Sequence, residues 1–119
     1  MRRLSHADFV AEFPLTIPAS KIKGIDKSNI EIDRDTLLSG ILGPVTIRSG
    51  AKVLLTGIIE GPVIVEDGAV AYINGIVKGD VTVHGAANIE GIVSGTLHSS
   101  ETASIAMDGI VANQEAASA

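Results

Sequence analysis

Apolar and polar positions repeat along most of this chain of 119 residues. Between residues 38 and 111, similar units return every 16 to 18 residues. Each unit opens with a glycine followed by two aliphatic residues; these glycines are Gly40, Gly57, Gly75, Gly91 and Gly109. Self-similarity at such a period is typical of repeat architectures, in which each unit stacks on its neighbours. The repeat therefore predicts the architecture of most of the chain.

The aligned units form three aliphatic columns separated by polar positions. Alternation with a period of two indicates strands with one buried face, and glycines such as Gly43, Gly50 and Gly57 mark corners between them. Three strands and three corners per unit predict an all-β, triangular β-solenoid of about five coils. The columns are Val45, Val63, Val81, Leu97; Ile47, Val65, Val83, Ser99; and Leu38, Leu55, Ile73, Ile89, Met107.

Residues 1–20 lie outside the repeat. Their sequence pattern predicts a short helix followed by a connector. Ser5 and Asp8 have the spacing of a weak capping box, and Pro14 ends the helical pattern. The apolar stripe of this helix, predicted over residues 5–13, is Phe9, Val10 and Phe13. We expect the stripe to cap the first open turn of the solenoid. The alternative is a membrane-surface anchor assisted by the two N-terminal arginines.

The bounds of the solenoid domain are predicted from where the repeat becomes irregular. Residues 21–37 predict a degenerate first coil, because Ile30 and Ile32 alternate as Val45 and Ile47 do. Atypical terminal repeats are expected in solenoids. We therefore place the solenoid domain at residues 21–111 and predict a flexible C-terminal tail over residues 112–119.

Composition supports strands with a narrow core. Apolar residues make up 45% of the chain, whereas aromatic residues make up 3%. β-branched side chains suit the pleated surface of strands. A core built from stacked aliphatic columns does not need large rings to fill it.

Charge and cysteine usage narrow the classes of partner. The formal net charge is −5, and no basic cluster extends beyond Arg2 and Arg3, so we expect no nucleic-acid partner. The sequence has no cysteine, which removes disulfide and thiol chemistry. It has neither the roughly 20 apolar residues of a bilayer span nor a signal-peptide pattern. We therefore predict a cytoplasmic protein and leave contact with a membrane surface open.

The repeat offers little chemistry. His84 and His98 lie on neighbouring turns, but two imidazoles without a third ligand make a poor metal site. Catalysis by either histidine would need a pocket and an oriented partner, which the pattern does not supply. The glycine-rich corners do not open helices, so they do not resemble phosphate loops. We predict a protein that is not an enzyme and has no cofactor or metal.

Surface apolarity is the remaining functional signal. Neighbouring residues of a strand face opposite sides, so one residue of each aliphatic pair after the opening glycine should point outward. In the last turn we also expect an open apolar end with unpaired strand edges, which favours pairing with another chain. The predicted self-association residues are Ile105, Met107 and Ile110.

The run Gly-Ile-x-x-Gly-x-Val-x-Val-x-x-Gly-Ala, repeated over residues 38–111, resembles the bactofilins, which are bacterial polymer-forming cytoskeletal proteins. This resemblance implies a right-handed triangular β-helix that assembles end to end into filaments without nucleotide or metal. The main alternative is the left-handed hexapeptide β-helix of acyltransferases. That fold keeps a strict period of 18, whereas the opening glycines here are 17, 18, 16 and 18 residues apart.

Two functions from different classes fit these patterns best. The first is a bactofilin-like structural protein that associates with itself through the solenoid ends into dimers or filaments, as a cytoskeletal scaffold. The second is a non-polymerising binding module for one protein partner, such as an immunity or inhibitor protein. An enzyme of the hexapeptide-repeat kind ranks last.

Overall fold

A computed structural model describes residues 2–14, 20–26, 28–100 and 102–116. The chain is mostly parallel β-structure wound into a β-solenoid of about five turns, with one short helix near its N-terminus. In chain order the elements are β1 (Arg2–Leu4), α1 (His6–Glu12), β2 (Ser20–Ile22), β3 (Ile25–Asp26), β4 (Ile30–Ile32), β5 (Thr36–Leu38), β6 (Ile41–Leu42), β7 (Val45–Ile47), β8 (Lys52–Leu55), β9 (Ile58–Ile59), β10 (Val63–Val65), β11 (Val70–Ile73), β12 (Ile76–Val77), β13 (Val81–Val83), β14 (Ala86–Ile89), β15 (Ile92–Ser99), β16 (Ser104–Met107) and β17 (Ile110–Ala116).

The strands form three faces, and the strands of each face are paired in parallel. Face A contains β2, β5, β8, β11, β14 and β16, with β1 added at the C-terminal edge. Face B, the narrowest, contains β3, β6, β9, β12 and the first parts of β15 and β17. Face C contains β4, β7, β10, β13 and the second parts of β15 and β17. The predicted β-solenoid is therefore confirmed, and its right-handed sense stays a prediction.

The three predicted columns are in register. Val63 pairs with Val45 and Val81, and Ile73 pairs with Leu55 and Ile89. The column residues of the central turns are fully buried, whereas the positions between them on faces B and C are more exposed. The core is a thin aliphatic stack enclosed by the three faces. The degenerate first coil is also confirmed, because β4 pairs with β7 through Ile30 and Val45.

The N-terminal segment docks at a different place from the predicted one. The helix and its cap are confirmed: Ser5 is the N-cap, and its hydroxyl accepts a hydrogen bond of 3.2 Å from the Asp8 N–H. However, β1 pairs with β16 in the last turn, and Phe9 of α1 packs against the outer side of face A. The expectation that this segment caps the first turn is therefore wrong. Apolar residues such as Val70 and Tyr72 point outward on face A, and α1 covers them.

Two predicted segments need further correction. Strand β17 continues to Ala116 and pairs with β15 through Thr96↔Asn113 and Ser99↔Ala116. Residues 112–116 therefore belong to the solenoid and not to a tail, whereas residues 117–119 lie outside the described part. Most of the predicted connector, residues 15–19, lies outside it too. Within the described chain, no helix has both the length and the apolar character needed to cross a membrane.

Candidate interaction surfaces

Face B carries an exposed column of isoleucines, which we call the isoleucine ladder. Consecutive members are register partners on adjacent strands. Its fourth and fifth residues, Ile76 and Ile92, are 37% and 41% exposed, and its end residues Ile25 and Ile110 are 75% and 66% exposed. The prediction that one residue of each aliphatic pair points outward is confirmed. The ladder consists of Ile25, Ile41, Ile58, Ile76, Ile92 and Ile110.

The first member of the ladder was missed by the sequence reasoning. The signal was present, since Gly24 lies 16 residues before Gly40 and is followed by Ile25. The rest of the first coil obscures it, because its other turns use polar residues in place of glycine.

Glycines leave a bare corner beside the ladder. A Cβ atom added to Gly75 would overlap the carbonyl oxygen of Gly57 in the turn before, and the same holds for Gly91 against Gly75. The backbones of successive corners thus approach too closely for any side chain. This bare corner forms a shallow groove of about 400 Å³ between the ladder and the polar residues that precede the glycines.

The polar residues that precede the corner glycines form a second column, which we call the corner column. Its last three residues line the groove, and its charge changes along the rod. Lys23 lies at the N-terminal end, whereas Glu90 and Asp108 lie at the C-terminal end. Its members are Lys23, Ser39, Thr56, Asn74, Glu90 and Asp108.

The acidic end of the corner column contacts the N-terminal helix. The Nδ1 atom of His6 lies 2.8 Å from Glu90 Oε1 and 3.9 Å from Asp108 Oδ2. It also lies 2.9 Å from Nδ2 of the buried Asn88, whose Oδ1 has no hydrogen-bond partner among the described residues. Three exposed residues, His6, Glu90 and Asp108, each offer one ligand atom, and these three atoms lie within 4.8 Å of one another. The three residues could therefore hold a metal ion. Sequence reasoning missed this cluster because only the docking of α1 brings it together.

The three predicted cap residues of the N-terminal segment differ in burial. Phe9 is fully buried, Phe13 is partly buried, and Val10 is 37% exposed. The hydroxyl of Tyr72 donates a hydrogen bond to the carbonyl oxygen of Phe13. Burial, and secondly the negative charge of Glu90, raise the pKa of Tyr72 above its ordinary value. In this docked position the apolar side of α1 faces the solenoid, so it does not offer Phe9 to a membrane.

The predicted self-association residues do not form one surface. Ile105 is fully buried in the core, and its strand β16 is covered at the edge by β1. Met107 is partly buried against the core, whereas Ile110 ends the isoleucine ladder and is 66% exposed. At this end of face A the edge strand is β1 and not β16, and β1 has β16 as its single strand partner in the described residues, so the expected unpaired edge lies one strand further out. On faces B and C the last strand is β17, which pairs with β15.

The two histidines of the repeat remain separate in register. His98 pairs with Thr82 on face C, and its Nε2 lies 3.7 Å from Asp80 Oδ2. His84 is exposed and follows the end of β13. The cluster with metal-binding geometry in the described residues contains neither of them.

Comparison with known proteins gives no relative. No protein-family model, no curated protein and no solved structure matches the chain. A β-solenoid is compatible with a structural or a binding role, so the surfaces themselves must carry any argument about function.

Proposed function

We propose that this protein is a non-enzymatic structural subunit that associates with its own copies through the solenoid ends, as a bactofilin-like scaffold. The observation that carries this proposal is the N-terminal end of the rod. Strands β2, β3 and β4 each have a single strand partner in the described part of the chain. Edges of this kind present backbone donors and acceptors that another strand can satisfy.

The two ends of the rod differ, and this difference limits how copies can join. At the C-terminal end, face A has the extra strand β1, whereas faces B and C end at β17. On face A, a second copy approaching head to tail would meet β1, a strand of three residues, in place of the longer edge of β16. With β1 docked, contact between two N-terminal ends gives dimers. Release of β1 permits head-to-tail filaments.

The test uses two proline variants of β1. In the preceding turns, outward-facing residues of face A donate their N–H to the previous strand, as Ala86 does to Ala69 at 2.9 Å. Leu4 occupies the outward register, because it pairs with Ala106, so Leu4→Pro removes a ladder donor. Arg3→Pro is the matched control, since by the same alternation the Arg3 N–H points away from β16.

Light scattering and negative-stain microscopy over a concentration series provide the readout. At the rod ends we expect paired copies for the unmodified chain and for Arg3→Pro, and longer end-to-end filaments for Leu4→Pro. A chain that stays monomeric in all three forms at every concentration would contradict the proposal. That outcome would instead favour the second role, a binding module for one different protein, for which the exposed isoleucine ladder offers a surface.

A further inference from the structure

The isoleucine ladder is an apolar strip along the side of the rod, away from its ends. It extends over about 24 Å, since adjacent strands lie about 4.8 Å apart. Four of its side chains, Ile25, Ile76, Ile92 and Ile110, are more than a third exposed. In the described residues, the helix packs on face A and not on face B. A contiguous apolar strip rimmed by polar residues is typical of a protein interface.

We propose that the ladder binds the ladder of a second copy of this chain, side by side and antiparallel. A two-fold axis would then cross the middle of face B, between β9 and β12. The first turn of one copy would face the last turn of the other, so Ile25 would lie opposite Ile110. The third and fourth turns would face each other, which places Ile58 opposite Ile76.

Charges along the corner column favour this antiparallel arrangement. Antiparallel packing about that axis brings the corner columns of the two copies opposite each other. Lys23 at the basic end of one copy then meets Asp108 at the acidic end of the other, and the contact occurs twice in the dimer. Lys23 and Asp108 are exposed side chains. Opposite charges at matching positions fix the register of an interface and suppress other registers.

The opposite border of face B gives a second complementary pair. Glu60 follows β9 and Lys78 follows β12, so they belong to the third and fourth turns. Within one chain, Lys78 Nζ lies 4.0 Å from Glu60 Oε1. In the antiparallel dimer, Glu60 of each copy would also face Lys78 of the other copy. The four side chains would form a cluster of alternating charges at the two-fold axis.

A parallel side-by-side dimer does not produce these pairs. Each turn would face its own equivalent, and the corner column of one copy would face the opposite border of the other. Asn74 would then meet Lys78, and Thr56 would meet Glu60, so no opposite charges would be matched. The charge pattern thus distinguishes between the two geometries.

This contact is independent of the end contacts proposed above, because it uses the side of the rod. Leu4→Pro, which disturbs the C-terminal end, should leave the side-by-side dimer unchanged. Failure of one proposal therefore does not imply failure of the other.

The first experiment measures dimer dissociation of charge variants by sedimentation velocity at low salt. Lys23→Glu and Asp108→Lys should each weaken the homodimer by about tenfold, because both copies then bring like charges together. An equimolar mixture of the two variants should restore association, since both contacts of the heterodimer become attractive. Within one chain, Lys23 and Asp108 lie about five strand spacings apart, roughly 24 Å, so the rescue can only be intermolecular. Lys21→Glu, an exposed position on face A, is the charge-matched control.

The second experiment changes the ladder itself. Ile76→Thr keeps a β-branched residue that suits a strand but places a hydroxyl at the centre of the interface. It should abolish the side-by-side contact and leave only association through the rod ends. Ile64→Thr on face C is the matched control, because Ile64 is 38% exposed and Ile76 is 37% exposed.

Three results would overturn the inference. The first is an unmodified chain without a dimer at any concentration. The second is a dimer that Ile76→Thr and Ile64→Thr weaken equally, which would place the contact elsewhere. The third is a mixture of Lys23→Glu and Asp108→Lys that associates no better than either variant alone, which would exclude the antiparallel geometry.

Discussion

The rings of Phe9 and Tyr72 meet edge to face, with their centroids 5.3 Å apart and their planes at 80°. Phe9 lies on α1 and Tyr72 on β11, in the middle of the rod. The same N-terminal segment supplies β1, which pairs with β16 on face A in the last turn. The aromatic contact therefore couples the docking of the helix to the pairing of β1 with β16.

Truncation of Phe9 tests this coupling. Phe9→Ala removes a fully buried ring, and such changes typically cost about 3–5 kcal/mol at the site. We expect β1 and α1 to open and the amides of β16 to exchange faster with solvent, while those of β11 stay protected. Hydrogen exchange measures this directly. Val10→Ala, at a position 37% exposed, is the control, and equal loss of protection throughout the rod would contradict the prediction.

Tyr72 should make stability fall at alkaline pH. Its pKa is raised in the folded chain by burial and by Glu90, so the folded state holds the phenol proton more tightly than the unfolded state. The stabilisation is complete below the ordinary pKa of about 10 and is lost as pH rises through the folded value. Urea unfolding between neutral pH and alkaline pH should show this loss.

The matched variant for this titration is Tyr72→Phe. It removes the hydrogen bond to Phe13, which should lower stability by about 1 kcal/mol at neutral pH, and it removes the tyrosine-dependent part of the alkaline loss. Tyr72 is the single tyrosine of a chain without tryptophan, so its ultraviolet absorbance reports the titration directly. An ordinary tyrosine titration in the folded chain would refute the stated shift.

Two glycines should respond differently to alanine. At Gly24 an added Cβ has no heavy atom within 4 Å, but φ is +92°, so the cost is the left-handed backbone alone, about 1–2 kcal/mol. At Gly75 the Cβ would overlap the backbone of Gly57, and the two corners must separate. We expect thermal denaturation to show a larger loss for Gly75→Ala than for Gly24→Ala. Equal losses would mean that the close approach of corners is not limiting.

Removal of residues 112–119 tests whether this segment contributes a strand to the solenoid or is a tail. Residues 113–116 of β17 pair with β15 on face C, so this deletion should expose the edge of β15 and lower the melting temperature. Gln114→Ala is the control because it retains the backbone ladder. An unchanged melting temperature for the deletion would support the tail that the sequence pattern predicted.

The solenoid was predictable because its signal is local and repeated. Alternation places Val45 and Ile47 inward, and the glycine before Ile41 sets the corner, so each unit specifies its own place in the stack. The isoleucine ladder follows from the same rule, since only one residue of each aliphatic pair can face the core. In the first coil, polar residues replace most of the corner glycines. The sequence alignment therefore missed Ile25 as a member of the ladder.

The docking of the N-terminal segment could not be read from the repeat. The triplet of β1 contains two arginines, and nothing in its pattern marks it as a strand; it becomes one because β16 offers an edge. The location of α1 depends on outward apolar residues such as Tyr72, which alternation identifies as outward but cannot match to a partner. The cluster of His6, Glu90 and Asp108 depends on that docking, as does the burial of Phe9. All four features depend on contacts between residues far apart in the sequence, which the repeat pattern does not specify.

The central claim is that this rod functions by binding its own copies. Sedimentation velocity of the unmodified chain over a wide dilution series tests it most directly. We predict reversible association, with species heavier than the 12.2 kDa chain at high concentration and dissociation on dilution. A single species of 12.2 kDa at every concentration and salt would contradict the account.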